Sequence, residues 1–411
     1  MATATARPRN VGVLNGARAV SAVIVLFHHI GALDEDLWDA RYLKRQREAR
    51  GHIPIGSGRR MLGSQQQSAL DGQGNPIAEF FLHLIGFGPG HLAVEVFLIL
   101  AGFVAAHEVW YRLARDNENL NEDERFARAS SALVRRYQRA FLSRFWRLGL
   151  PLLAVHGVHL MLWSQRLAYG PYLSFPRSED VLKPYRIGMR AIWSSSLSGS
   201  LWILETLFLA PFVALAAQLP VMGARGRARL AWYALVITYL SGNPRDRESY
   251  SYFTGVVAGA ALADLYNNVA LRDRIRLVSL PIASVLVSLP WWPGPMYGQH
   301  FCLTLSAVGF VYFILYAPRA MQRILDNRLM ERAAPYSYQL YIWHLLVFSF
   351  FAVNVQPYVP KLMLYIGGFV VSFLVAVPAY HLLEIPSAKA GALFSQWMLA
   401  RSSTPKTTLP T

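Results

Sequence analysis

The chain has 411 residues, of which 54% are hydrophobic and only 16% are charged, and its formal net charge is +16. Soluble domains carry about 25% charged residues, so this chain lacks the polar side chains needed to cover two or three soluble domains. Its apolar runs of about 20 residues, the length that crosses a hydrocarbon core, predict an all-α integral membrane protein instead.

The basic excess could also indicate a nucleic-acid-binding protein. In a membrane protein, however, such an excess marks cytoplasmic loops and contact with anionic lipid headgroups. We therefore expect the lipid bilayer as a partner and no nucleic acid. The single cysteine, Cys302, lies in an apolar run, which leaves no intramolecular disulfide and no cysteine metal cluster, and we expect no bound metal.

Residues 1–11 form a basic N-terminal segment ahead of the first apolar run. No small-residue cleavage site follows that run, so we interpret it as a retained helix rather than a signal peptide. A polar insert, 33–79, comes next and is rich in Arg, Gly and Gln. This composition is typical of segments that are partly disordered or lie over the membrane surface.

Ten apolar segments predict about ten transmembrane helices in one bundle, which form a single membrane domain over residues 12–386. The segments are 12–32, 90–111, 148–164, 201–221, 228–241, 249–266, 276–293, 299–317, 336–355 and 361–383. A polar C-terminal tail, 387–411, is predicted to follow them.

The basic residues in the connections predict the orientation of the chain. The connection between the second and third segments, 112–147, holds nine arginines, and its basic second half favours an interfacial helix. The 318–332 loop carries four arginines, whereas the 294–298 connection on the opposite side has no Lys or Arg. The basic 33–79 insert argues the other way, but long loops count for less in this rule. The pattern predicts a cytoplasmic N-terminus.

The first apolar segment contains an arginine and a histidine that share one helix face. Arg18 and His29 are eleven residues apart, which comes to about 20° from three full turns and roughly 16 Å along the axis. His28 points about 80° away from that face. Ionisable residues inside membrane segments mark functional candidates, and a histidine can act as a general base near neutral pH. The alternative is an arginine at the headgroup level and a histidine that fills a polar gap.

A second basic cluster precedes the third segment. Five arginines between positions 135 and 147 alternate with aromatic residues. This pattern favours anionic lipid or, more specifically, the phosphates of a nucleotide, which match the forked donors of arginine. Arg144 and Arg147 stand close to Pro151 at the mouth of the segment, and we expect these two to reach a bound ligand.

Three more ionisable residues belong to the later apolar segments. Glu205 lies near the start of the fourth segment and His344 lies inside the ninth, so both are candidates for a functional role. Glu384 closes the tenth segment, and we interpret it as a helix-end acid that reaches out to the membrane surface. His29 and Asp34 also form a His-x4-Asp pattern, which occurs often by chance and which we discount.

Six short segments of the chain form a recognisable series of motifs when they are taken in order. They are LNGARAVSAVIVLFHHI (14–30), HLAVEVFLILAGF (91–103), SRFWRLGLP (143–151), YFTGVVAGAALADL (252–265), YSYQLYIWH (336–344) and Glu384-Ile385-Pro386. The chain resembles the acyltransferase-3 family of membrane acyltransferases, whose motifs LDGLR…FHH, GVDLFFVLSGF, RRxxRLxP, SYSLYLLH and ErP occur in the same order. The 252–265 segment resembles a YFxxG…LADL segment of fungal members, and the resemblance covers nearly the whole chain.

The resemblance implies acyl transfer, usually of an acetyl group, from a CoA thioester to an alcohol, with acyl-CoA as co-substrate and no bound cofactor. The family's Arg-x10-His pair corresponds to Arg18 and His29, so His29 would be the catalytic base that deprotonates the acceptor hydroxyl. Arg18, Arg144 and Arg147 would hold the CoA phosphates on the cytoplasmic side. Fungal members often tailor secondary metabolites, which suits a small or lipophilic acceptor, and the protein would reside in an endomembrane or the plasma membrane.

The sequence departs from the family's motifs at three places. Asn15 and Ala101 replace the usual Asp and Ser, and Trp202 to Glu205 is two residues shorter than the usual spacing, which leaves the role of Glu205 open. A transporter is one alternative, but transporters tend to show two similar halves and this sequence shows no such symmetry. A membrane-embedded cyclase or isomerase of a lipophilic substrate is another; it would use Glu205 or Asp34 as an acid and need no CoA site.

Overall fold

A computed structural model describes residues 11–37, 89–116, 122–165, 202–222, 224, 226–241, 252–267, 282, 296–355 and 361–402. Within these ranges the chain is helical and has no strand, which confirms the all-α prediction. The helices are α1 (Val11–Leu37), α2 (Pro89–Asp116), α3 (Glu122–Ser164), α4 (Trp202–Gln218), α5 (Gly226–Ser241), α6 (Phe253–Asn267), α7 (Met296–Tyr316), α8 (Arg319–Leu325), α9 (Arg328–Ala333), α10 (Ser337–Asn354), α11 (Lys361–Ala379) and α12 (Ile385–Ser402).

Nine of the ten predicted segments coincide with a described helix, while the segment 276–293 lies outside the described residues apart from Ile282. Most of the 33–79 insert also lies outside them. One described helical stretch, Ile366–Met398, is long and apolar enough to cross a membrane. The apolar stretches Gly12–Phe27, Leu92–His107, Thr206–Val221 and Leu303–Tyr316 are shorter. The number of membrane crossings therefore stays a prediction.

Among the described helices, α2 and α6 pack closely against each other through glycines. A Cβ atom on Gly102 of α2 would collide with the carbonyl oxygen of Val256, and one on Gly259 of α6 would collide with that of Ile99. The two backbones therefore approach each other as only helices with small residues at the interface can. This packing fixes α2, whose other face lines the cavity described below.

Glycine also lets the start of α1 pack against the short helices α8 and α9. A Cβ atom on Gly16 would collide with the carbonyl oxygen of Leu325, and one on Gly12 with the carboxylate of Asp326. Asn327 caps the N-terminus of α9, because its side-chain oxygen accepts a hydrogen bond from Met330 N at 2.9 Å. The predicted 318–332 loop is thus two short helices that support α1 one turn before Arg18.

The later part of the basic stretch 112–147, from Glu122 onward, and the third predicted segment are joined in one helix, α3, that continues through Pro151. Proline has no N–H, so the carbonyl oxygen four residues earlier, on Arg147, loses its helical partner. The hydroxyl of Ser387 lies 3.5 Å from that oxygen, and the hydroxyl of Tyr338 donates to the next carbonyl, on Leu148, at 2.9 Å. Side chains from α10 and α12 therefore gather at the proline position of α3.

The first part of the predicted polar tail, 387–411, is helical, since α12 extends to Ser402. The small residue Gly391 allows α12 to lie directly on α3, where a Cβ would be 2.8 Å from Cβ of Trp146. Phe394 then packs on Trp146, with ring centroids 5.6 Å apart. Residues 403–411 lie outside the described part of the chain.

Candidate functional site

A cavity of about 220 Å³ lies between α1, α2, α3, α4 and α10. Its apolar lining comes from Leu14, Phe97, Leu100, Ala101, Val104, Leu148 and Leu207, and its polar lining comes from Asn15, Arg18, Arg144, Arg147, Ser337, Tyr338 and Tyr341. The packing of the helices thus brings together the three arginines that the sequence analysis assigned to one ligand.

Arg18 reaches from α1 towards the start of α10. Its Nη2 donates a hydrogen bond to the carbonyl oxygen of Ala334 at 3.0 Å, and the hydroxyl of Ser337 donates to the same oxygen at 2.7 Å. The buried Nε of Arg18 has no hydrogen-bond partner among the described residues. An unused buried donor is costly, and an anionic ligand in the cavity would supply the missing acceptor.

Arg144 is held by two backbone carbonyl groups. Its Nη1 lies 3.4 Å from the carbonyl oxygen of Leu207, and its Nη2 lies 3.4 Å from that of Ala101. The oxygen of Leu207 is available because Pro211, four residues later inside α4, has no N–H to donate to it. These hydrogen bonds are long and weak, so the guanidinium of Arg144 is placed at the cavity without being neutralised.

Arg147 forms an ion pair with Glu384. Its Nε and Nη2 donate to Oε1 of Glu384 at 2.8 and 2.6 Å, and Gln339 Nε2 donates to the other carboxylate oxygen at 2.9 Å. Glu384 is 1% exposed, so the interpretation of this residue as a helix-end acid at the membrane surface is wrong. A π-helical turn, Tyr380–Glu384, joins α11 to α12 and ends at this carboxylate, which faces the bundle.

The cavity carries an excess of positive charge. Within the described residues, three arginines line it, and Glu384 is the one carboxylate that meets any of them. Among the described side chains, Arg18 and Arg144 therefore form no ion pair, in a site whose other walls are largely apolar. Uncompensated charge in such surroundings is costly, and an anionic group of the ligand would compensate it.

The described residues include the backbone but not the side chains of His28, His29 and Glu205. Arg18 and His29 lie on one unbroken helix, α1, as the spacing argument requires. Their separation along α1 is roughly 16 Å by the helical rise. The catalytic role of His29 and the role of Glu205 on α4 both stay predictions.

His344 is fully buried and is not among the residues that line the cavity. Its Nδ1 lies 2.6 Å from the carbonyl oxygen of Tyr341, and its ring packs between those of Tyr341 and Phe348, with centroid distances of 5.8 and 6.3 Å. Because Tyr341 does line the cavity, His344 supports the wall from behind. This placement favours a packing role over contact with the ligand.

Glu95 is a buried acid that the sequence analysis did not single out. It lies on α2, is 1% exposed, and accepts a hydrogen bond from the hydroxyl of Thr304 at 3.2 Å. Phe97, two residues along, lines the cavity, and two residues correspond to about 200° of helical rotation, so Glu95 faces away from the cavity. A Cβ on Gly255 would lie 2.7 Å from its carboxylate. The sequence feature that could have identified Glu95 as a candidate is its position as an ionisable residue inside an apolar run.

The fold and the site together define a helical protein whose cavity is suited to an anionic ligand. The chain matches the family model of the acyltransferase-3 type, described as an acyltransferase domain, over residues 11–381. It belongs to that family, whose members are membrane proteins, and is therefore a membrane acyltransferase. No curated protein and no solved structure gives a significant match to the chain. The family membership favours acyl transfer over the transporter and cyclase alternatives.

Proposed function

We propose that the protein is an O-acyltransferase that moves an acyl group, specifically acetyl, from acyl-CoA to a hydroxyl of a small or lipophilic acceptor. The observation that carries the proposal is the convergence of Arg18, Arg144 and Arg147 on one cavity, where Glu384 is the one carboxylate among the described side chains that pairs with any of them. Coenzyme A brings several phosphate charges, and the forked donors of arginine match phosphate oxygens. The apolar wall around Phe97 and Leu100 suits the pantetheine arm.

In the proposed reaction, His29 is the general base. It takes the proton of the acceptor hydroxyl while the oxygen attacks the thioester carbonyl carbon. The tetrahedral intermediate then collapses, the carbon–sulfur bond breaks, and the CoA thiolate leaves and receives that proton from the imidazolium. The products are an ester and free CoA, so the step involves no oxidation and needs no metal or bound cofactor.

The proposal includes a multi-pass arrangement with the N-terminus in the cytoplasm. The donor then enters from the side on which CoA is made, with its phosphates at Arg18 and its acyl end pointing along α1 towards His29. A lipophilic acceptor, for example a fungal secondary metabolite, meets the acyl end from the bilayer or from the far side. The basic residues of 112–147 and 318–332 support this orientation.

The decisive experiment incubates membranes that contain the protein with labelled acetyl-CoA and a lipophilic extract of the host. We expect label in an extractable ester, and the labelled product identifies donor and acceptor together. Membranes with the Arg18→Ala variant are the control and should transfer far less label. If no acyl-CoA of any chain length donates its acyl group, while an acylated lipid or protein does, the assignment of the donor is wrong.

A further inference from the structure

The ion pair at the cavity is the end of a directed chain of hydrogen bonds. Trp343 Nε1 donates to Oε1 of Gln339 at 3.2 Å, and Nε2 of Gln339 donates to Glu384 at 2.9 Å. An indole N–H can only donate, so it turns the oxygen of the Gln339 amide towards Trp343 and the NH₂ group towards Glu384. The carboxylate thus accepts from Gln339 on one oxygen and from Arg147 on the other.

This arrangement restrains the guanidinium of Arg147 without covering it. Two of its nitrogens bind the same carboxylate oxygen, and Glu384 is itself fixed by Gln339 and by its place at the end of the π-helical turn. The side chain of Arg147 nevertheless remains 42% exposed and lines the cavity. A free arginine would lose side-chain conformational entropy on binding a ligand, and a restrained one has already lost most of it.

We infer that Glu384 is a positioning residue for donor binding: fixed by Gln339, it holds Arg147 in the orientation that meets the donor's phosphates. The inference rests on the proposed acyl-CoA function. Alternatively, Glu384 merely offsets one positive charge. The two roles predict opposite effects of Glu384 on donor binding. A positioning residue strengthens donor binding, whereas an offsetting charge weakens it by repelling the anion.

The cleanest test changes the hydrogen-bond chain without changing any charge. Gln339→Met keeps the length of the side chain but removes the donor to Glu384, and should raise KM for acetyl-CoA about 3–10-fold, the worth of one hydrogen bond. The value of kcat should stay within about twofold, because the lost binding is common to ground and transition states. The control is Gln218→Met on α4, which removes a buried glutamine bonded to the Tyr137 hydroxyl at 2.7 Å, outside the cavity lining, and should leave KM unchanged.

A reciprocal exchange tests the direction of the chain. In Glu384→Gln two NH₂ groups face each other, so KM should rise. In the double variant Glu384→Gln/Gln339→Glu, the carboxylate at position 339 can accept from Trp343 and from the new amide, whose oxygen can accept from Arg147. Total charge is conserved, and KM should return to within about threefold of wild type.

Two outcomes would overturn the inference. If KM falls in Glu384→Gln, the carboxylate only opposes the anion. If Gln339→Met and Gln218→Met affect KM alike, the glutamine contributes general stability and not position. A wild-type protein that uses no acyl-CoA would instead remove the proposed function, and the inference with it, so the two failures are distinguishable.

Discussion

At the scale of the residue, helical rotation distinguishes two adjacent histidines on α1. His29 shares a face with Arg18, and His28 does not. We expect His29→Ala to lower acyl transfer about 10²–10⁴-fold, the usual worth of a general base, while His28→Ala retains most of it. Initial rates in membranes with matched protein levels measure both. An inactive His28→Ala beside a near-normal His29→Ala would reverse the assignment.

The arginines of α3 give a second prediction at this scale. Arg144→Ala and Arg147→Ala should mainly raise KM for acyl-CoA, because they remove binding that ground and transition states share. Arg139→Ala is the matched control, since Arg139 is exposed on the same helix and does not line the cavity. Direct binding of CoA to the purified variants checks the result. Unchanged affinity in both cavity variants would assign these arginines to lipid headgroups.

At the scale of the element, backbone contact between α2 and α6 predicts an unequal response to the same substitution. Gly259→Ala places a methyl group against the carbonyl oxygen of Ile99 and should destabilise the protein by about 1–3 kcal/mol through overpacking. Gly157→Ala is the control on α3, where a Cβ meets nothing within 4 Å, and should stabilise the helix by about 0.5–1 kcal/mol. Thermal unfolding in one detergent compares them. Equal melting temperatures would contradict the close packing.

At the scale of the whole molecule, the testable property is the side on which the donor enters. With a cytoplasmic N-terminus, the arginines of α9 face the cytoplasm. A cysteine introduced by Arg328→Cys on a Cys302→Ser background should react with an impermeant thiol reagent only after the cytoplasmic side is opened. Arg328 is exposed, so the reagent can reach it. Labelling from the outer side alone would overturn both the topology and the route proposed for CoA.

Local patterns in the sequence were enough to predict the all-α fold, the family and several charged residues of the candidate site. Apolar runs and the scarcity of charge gave the all-α fold, since a helix needs only its own residues to form its backbone hydrogen bonds. The order of the motifs pointed to the family, and the spacing of Arg18 and His29 placed both on α1. The cluster at Arg144 and Arg147 was also visible, because five basic side chains near one segment are a local feature.

Only the tertiary structure determines which hydrogen-bond and ion-pair partners these charged side chains have. The sequence predicts Glu384 to be an acid at a helix end. Only the π-helical turn and the packing of α3 against α12 bury it against Arg147. The carbonyl of Leu207 becomes a partner for Arg144 only where α3 passes α4 at Pro211. Gln339 is uncharged, so a search of the sequence for ionisable residues in apolar segments does not find it. Each of these depends on contacts between residues far apart in the chain, whose distances are set by how helices pack and not by any local pattern.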